Sequence, residues 1–417
     1  MIETLLSPMQ DSASDAAVEP CIERLKALPG RMPFDAVGMS FVGQLSRQLL
    51  INKVLREYPE LMAMAHWFRA ASLPDLRMQL LGGDGESVSN VFLPRGVIFH
   101  IAPSNVDSVF IYSWLLSLLC GNINIARVSR RRSRQMQVFF EHVKGLLASS
   151  EFAHLAQTNW VLSYDHDAQL TEQLSSVCQM RVVWGGDETV SLVRKIPLPP
   201  LSAELAFANR FSMAVLNSDA VCDLDEPGLT ELTRRFYNDA FWFNQRACSS
   251  PKIVWWIGER DAVKEARERF WSALSEHVGQ QQPENEPAQV VNRLTNSFLV
   301  INAHDRAQLQ SDAGALPARI SIERLRELDR RLHDGQGLFL ELQRPSLSDL
   351  IPELRSRDQT LAHFGFARAE LLTMLAGLPA RAVDRLVPVG EALAFNAVWD
   401  GVNLLRAFTR EVQIRCA

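Results

Sequence analysis

Cysteine is scarce in these 417 residues, and the few present are scattered: Cys21, Cys120, Cys178, Cys222, Cys248 and Cys416. None forms a C-x-x-C pair, which excludes a zinc ribbon, and the wide spacing gives no disulfide framework. Free thiols in a reducing compartment are expected. Long apolar runs are missing as well. The longest, Val106 to Cys120, contains Asp107 and is too short to span a bilayer. The first residues, Met1-Ile-Glu-Thr-Leu-Leu-Ser7, lack the basic-then-apolar order of a secretory signal, so a cytoplasmic protein without a membrane span is expected. Positive charge is not in excess: 43 Lys and Arg against 48 Asp and Glu leave a formal net charge of -5, so no nucleic-acid partner is expected. G-x-S-x-G and H-E-x-x-H are absent, and His100, His142, His166 and His363 fit no metal-ligand spacing. A lone histidine is more often structural, and none is assigned a catalytic role. No internal repeat or low-complexity tract occurs.

What the chain does have is a globular composition, 47% hydrophobic and 22% charged, and length enough for two or three domains. Residues 1 to about 40 are weakly patterned. From Phe41 to Met78 apolar residues recur at helical spacing, predicting two or three helices. A regular alternation follows. Gly96–Ile101, Asn122–Val128, Asn159–Tyr164 and Met180–Trp184 read as strands, separated by helical stretches over Val106–Cys120, Arg131–Leu147 and Asp167–Cys178. Strands alternating with helices of this length predict a mainly parallel α/β sheet with ligands at the strand C-termini. A strand over Ser212–Leu216 comes next. Strand-like runs and helices then continue to the C-terminus, broken by a polar loop over Gln280–Pro287.

The stretch Phe243-Asn-Gln-Arg-Ala-Cys-Ser-Ser-Pro251 stands out. A helical pattern precedes it, with Asp225 and Pro227 as start signals and Leu229, Leu232, Phe236 and Ala240 on one face. An apolar strand, Lys252–Ile257, follows it. Cys248 therefore sits in a tight polar loop between two buried elements, where a scaffold presents a reactive group. A helix C-terminus does not stabilise a thiolate, so Arg246 and the loop N–H groups are the candidate activators. A small buried cysteine that merely packs fits this loop equally well.

Three further clusters carry chemistry. Gly185-Gly186, after a strand, can bring backbone N–H groups to a phosphate, although such a pair is commonly only a turn. Arg130, Arg131, Arg132 and Arg134 crowd a predicted helix start, with Ser129 as its cap. Cations there oppose the helix dipole unless an anion docks between them; a solvated basic face is the alternative. Asn105, after the first strand, offers an amide donor for an oxyanion, or an ordinary helix cap.

In their order along the chain these pieces resemble the aldehyde dehydrogenase superfamily, and within it the LuxC-type acyl-CoA reductases of the bacterial fatty acid reductase complex. The resemblance rests on Gly96–Asn105, Gly121–Ser129, Val183–Thr189, Phe243–Pro251, and Asp384–Gly390 with Val398–Gly401. It implies an aldehyde dehydrogenase-like α/β fold: an N-terminal helical region (1–90), a Rossmann-like cofactor domain (91–215), a catalytic domain (216–385), and a C-terminal segment (386–417) returning to the core or to an oligomer interface. By the same resemblance Cys248 matches the nucleophile and Asn105 the oxyanion donor. Gly185, Gly186 and Thr189 match the turn beside the nicotinamide cofactor, and Arg127 matches a lysine that binds the adenosine ribose. Arg130 stands where NAD-preferring members have Glu, which favours a 2′-phosphate and hence NADPH. Phe207 falls at or near the general-base glutamate of the oxidising enzymes, with Glu204 three residues away. The function implied is NADPH-dependent reduction of an acyl thioester to an aldehyde. Its donor is acyl-CoA or an acyl-carrier or acyl-transferase protein, and the enzyme a homo-oligomer. A CoA-acylating aldehyde dehydrogenase, or a partner-dependent subunit that holds an acyl group, is the alternative.

Overall fold

The computed structural model describes all residues except 1, 9–17, 83–89, 104–106, 131–132, 166, 284, 380 and 416–417. The chain folds as two compact units. Residues 1–209 and 395–417 form the first, and 210–394 the second.

The first unit is built on a six-stranded sheet. Its strands are β1 (Glu3–Leu6), β3 (Val97–Ile101), β4 (Ile123–Val128), β5 (Asn159–Ser163), β6 (Met180–Trp184) and β7 (Ala203–Phe207); β2 (Asn90–Pro94) lies outside it. The order is β1-β5-β4-β3-β6-β7, with β1 antiparallel and the other strands parallel. The chain steps outward from β3 to β4 to β5, then returns to lay β6 on the other side of β3. That reversal opens a crevice at the C-terminal ends of β3 and β6, the usual ligand position in an open α/β sheet. All five residues of β3, β5 and β6 are buried because helices cover both faces. Side chains alternate between two cores: Val97, Phe99 and Ile101 pack into one and Ile98 into the other. The weakly patterned N-terminus supplies the edge strand β1, too short to show a period.

In the second unit β8 (Phe211–Asn217), β9 (Pro251–Ile257), β10 (Gln308–Leu309), β11 (Ala318–Ser321), β12 (Leu338–Arg344), β13 (Asp358–Phe364) and β14 (Arg385–Pro388) form one sheet. Its order is β10-β11-β12-β9-β8-β13-β14, parallel except for β10. Ile253, Trp255 and Ile257 enter one core and Val254 and Trp256 the other, so β9 is buried on both faces. Helices Glu226–Phe241 and Arg260–Gln281 flank it in sequence. The first of these starts on the predicted signal: Asp225 caps it by accepting from the Gly228 N–H at 2.9 Å.

The last residues return to the first unit. A short hairpin, β15 (Val398–Trp399) and β16 (Val402–Asn403), precedes β17 (Thr409–Gln413), which pairs antiparallel with β2. The Trp399 ring lies 6.3 Å from Trp184 and 5.4 Å from Tyr112, so two of the sequence motifs meet in one aromatic cluster. One helix boundary differs from the sequence expectation. The helix after β4 runs Arg134–Leu147, and its cap is Ser133, whose Oγ accepts from the Met136 N–H. Ser133 outcompetes Ser129 because it stands directly before the amphipathic repeat Met136, Phe139, Phe140, Val143. Arg130 thus precedes the helix rather than crowding its first turn, while Arg134 is its first residue.

Candidate active site

Cys248 lies in the turn that enters β9, at the N-terminal edge of the second sheet. Among the described cysteines it is the exposed one; Cys21, Cys120 and Cys178 are buried and Cys222 is half-buried. Burial pushes the Cys178 thiol up to about 12 and raises Cys21, Cys120 and Cys222 as well. Those four thiols stay protonated and shielded, which makes them poor nucleophiles.

The loop is shaped by two successive left-handed residues, Asn244 (φ 50°) and Gln245 (φ 60°). Each costs about 1–2 kcal/mol for a side chain with a Cβ. The Gln245 side chain, fully buried, offsets that cost with its amide. Nε2 donates to Pro251 O at 2.8 Å and to Leu338 O at 2.9 Å, while Oε1 accepts from the Gly337 N–H at 2.9 Å. The Gln336 N–H donates to Asn244 O, fixing residues 335–337 against the loop. Gly335, at φ 84°, leaves no room for a side chain: a Cβ would stand 2.5 Å from Gln245 O. From the other side, Ser212 Oγ donates to Cys248 O at 2.6 Å. The cysteine backbone is therefore held from β8 and from the approach to β12.

Arg246, the activator nominated from sequence, is exposed. A different cation lies below the loop. Lys252, 6% exposed, donates from Nζ to Ala247 O at 3.2 Å and stands 5.7 Å from the centre of the Phe211 ring. Sequence alone marks neither Lys252 nor Gln245, although one lies within the Phe243–Pro251 stretch and the other directly after it. Their burial is the missing information, and a polar residue at a strand start carries no signal of it.

The first unit holds the other candidates. Gly185 and Gly186 leave the C-terminal end of β6, at the sheet's reversal, and Gly186 caps the helix Asp187–Arg194. The Gly185 N–H donates to Phe207 O at 3.1 Å. A Cβ on Gly185 would lie 3.0–3.1 Å from Thr189 carbons, so glycine permits the close turn onto the helix. Arg127, at the end of β4, donates to Tyr164 O at 3.2 Å and stacks 5.6 Å over the Tyr164 ring. Arg130 pairs with Asp165 at 2.6 Å on the surface. Arg127, Gly185 and Gly186 occupy the edge on which α/β sheets bind nucleotides, and a basic side chain and a close glycine turn there suit the phosphates of a dinucleotide. Asn105, Arg131 and Arg132 lie outside the described residues.

The position that resembles the general base holds Phe207, which has no carboxylate, with Glu204 three residues away. Phe207 is buried and stacks on Trp184, ring centres 3.8 Å apart. Glu204 is committed: Oε2 accepts from Arg181 at 2.6 and 2.9 Å, and Oε1 from Arg194 at 3.0 Å.

Residues 84–411 match the model of the acyl-CoA reductase (LuxC) family. The chain belongs to this family. A long-chain acyl-protein thioester reductase from Aliivibrio fischeri is 22% identical over 168 residues, which is 40% of this chain and a third (33%) of that protein. Solved structures share the fold over nearly the full length. Aldehyde dehydrogenase 21 from Physcomitrella patens superposes with a TM-score of 0.67 at 10% identity, covering 99% of this chain and 94% of that one. Glyceraldehyde-3-phosphate dehydrogenase GapN from Methanocaldococcus jannaschii, solved with NADP, gives 0.64 at 10% identity, covering 95% and 93%. The fold is thus that of an aldehyde dehydrogenase. Among the described residues no helix is long and apolar enough to cross a membrane.

Proposed function

We propose that this LuxC-family chain reduces an acyl thioester to an aldehyde through an acyl group carried on Cys248, with NADPH as reductant. The observation that carries the reading is the contrast among thiols. Cys248 is presented on a braced, exposed loop, whereas the other described cysteines are buried or half-buried with raised pKa values. A thiolate at Cys248 attacks the thioester carbonyl. As its C–S bond forms, the bond between the acyl carbon and the donor's own sulfur breaks, and CoA or a carrier thiol leaves. The Cys248 N–H and, by family resemblance, the Asn105 amide stabilise the oxyanion. NADPH, when bound, supplies the hydride that reduces the acyl carbon. Arg127, Gly185, Gly186 and Thr189 hold the cofactor, and Arg130 favours its 2′-phosphate. The thiohemiacetal left on Cys248 then collapses: the carbonyl re-forms, the C–S bond breaks, and the electron pair returns to sulfur as aldehyde departs. Neither Phe207 nor Glu204 activates water, so the acyl group waits for reduction rather than being hydrolysed. The donor is a fatty acyl chain on CoA or on a protein, and the working enzyme is a homo-oligomer in the cytoplasm.

Cys248→Ala tests the reading. Incubation with acyl-CoA followed by intact-protein mass spectrometry should show one acyl adduct in the parent and none in the variant, with NADPH oxidation lost. An adduct that persists on another cysteine would overturn the assignment.

A further inference from the structure

We propose that a groove in the second unit, between helix Arg260–Gln281 and the strands β11 and β12, binds a hydroxylated phosphate ester of the size of a sugar phosphate. The groove is separate from Cys248. Its lining residues fall between Arg260 and Gln343, and none belongs to the Phe243–Pro251 loop. The inference goes beyond the reading of Cys248 as the nucleophile and does not rest on it.

The helix supplies one wall. Arg260, Lys264, Arg267 and Trp271 recur at steps of four, three and four residues, so they share one face. Strands β11 and β12 supply the other wall, with Arg319 and Glu341. Between them lies a cavity of about 530 Å³, a size at which small molecules bind. Arg260, Lys264, Arg267 and Arg319 line it against Glu268 and Glu341, an excess of two positive charges among the described residues. The chain as a whole carries a net charge of -5, so this basicity is local. Arg260 and Lys264 are exposed, and among the described residues neither has an ion-pair partner.

Glu341 forms the floor and is fully buried. Its Oε2 accepts from the indole N–H groups of Trp256 at 2.9 Å and Trp271 at 2.8 Å. Its Oε1 is buried as well, yet accepts from nothing among the described residues. Arg319 Nη1 stands 3.6 Å from Oε1, beyond hydrogen-bond length. Arg267 Nε lies 3.4 Å from Oε2, and it too is buried without a hydrogen-bond partner. Two guanidiniums thus approach one carboxylate without bonding to it, and one positive charge is left over. Burial lowers the pKa of Arg267, Glu341 works against that, and the charge of Arg319 lowers it further. A buried acceptor and a buried donor, both open at one cavity, are what a ligand would satisfy.

Arg319 is held ready for it. Nη2 donates to Gln310 O at 3.0 Å, the backbone N–H donates to Ser311 Oγ at 2.9 Å, and the guanidinium lies 5.2 Å from the centre of the Trp271 ring. The two sets of groups select two chemistries in one ligand. The cations take a phosphoryl group. Glu341 Oε1, as a carboxylate oxygen, can only accept, so it takes a hydroxyl donor. A bare anion satisfies the cations and leaves Oε1 open.

Isothermal titration calorimetry of the full chain with ribose 5-phosphate, inorganic phosphate and ribose tests this. Ribose 5-phosphate carries both groups and has neither adenine nor nicotinamide to seat it at the cofactor residues. One equivalent should bind saturably, about tenfold tighter than inorganic phosphate or ribose. Lys264→Glu, on the exposed helix face, reverses one charge at no cost to the core and should weaken ribose 5-phosphate by about tenfold or more. The absence of saturable binding in the parent would overturn the proposal. So would parent-like affinity in Lys264→Glu, which would place the ligand elsewhere. Equal affinity for inorganic phosphate and ribose 5-phosphate would overturn it as well, since Glu341 would then take no part and the groove would hold an adventitious ion only.

Discussion

The two units use opposite ends of their sheets. In the first, the candidate cofactor residues Arg127, Gly185 and Gly186 lie at the C-terminal ends of parallel strands, around the reversal between β3 and β6. In the second, Cys248 stands at the N-terminal edge, in the turn entering β9, beside the loop that enters β12. The C-terminal edge of such a sheet offers helix N-termini and their free N–H groups, which suit phosphates. An N-terminal edge offers no such field. A loop there must be held by side chains and by its own shape, and Gln245 and Ser212 supply the hydrogen bonds that hold it. The first unit's candidate residues sit on an architecture that suits charge; the second unit's candidate cysteine depends on individual side chains around its loop.

That contrast can be broken most severely at the water step. If the first unit contributes no base, acyl-enzyme formed without NADPH should outlast one with a positioned base by ~10²–10⁴-fold. Decay of a labelled acyl-enzyme measures this. Rapid release of free acid would mean that some carboxylate escapes the pairing seen for Glu204, and oxidation of aldehydes would become the leading activity. Phe207→Glu is a poor probe here, since it would bury a carboxylate against Trp184.

A smaller effect is expected from the loop brace. Gln245→Ala removes three hydrogen bonds and leaves the Gly337 N–H and two carbonyls without their partner. The loss should be about 2–3 kcal/mol of stability, read from urea unfolding, with Cys248 acylation slowed besides. No change in either would show that the loop holds its shape without the amide, and the second unit would then resemble the first in relying on architecture. The smallest expected change is in the first unit. Arg130→Glu should shift the NADPH-to-NADH ratio of kcat/KM by about tenfold, the value of one charge-assisted contact. An unmoved ratio would leave Arg130 as a surface partner of Asp165 and nothing more.

Periodicity made most of this architecture readable. The strands β3 to β6 are unbroken apolar runs bounded by glycine, proline and asparagine, and the helix before Cys248 begins on its Asp225 cap. Short elements are the least legible: β1 has four residues, too few to show a period. The site was legible as a motif but not as a mechanism. Cys248 drew attention through its loop, yet Arg246, the nearer cation in sequence, is exposed, while Lys252 is folded beneath. Chain distance favours the first; only packing reveals the second. Glu204 illustrates the reverse: a carboxylate near a suspected catalytic position whose work is to bind Arg181 and Arg194.

The pairing of β17 with β2 has a consequence for biosynthesis. Residues 210–394 are contiguous, so the second unit is complete in sequence before β17 is synthesised. The first unit is not. Arg95 must wait for the carbonyls of Ala407 and Thr409, Asn122 for that of Phe408, and β2 for its partner strand. Until those residues emerge, β2 is an open strand edge, the kind of surface that captures other chains. The nascent chain thus carries a finished second unit and an unsealed first unit together, and the exposed edge belongs entirely to the latter.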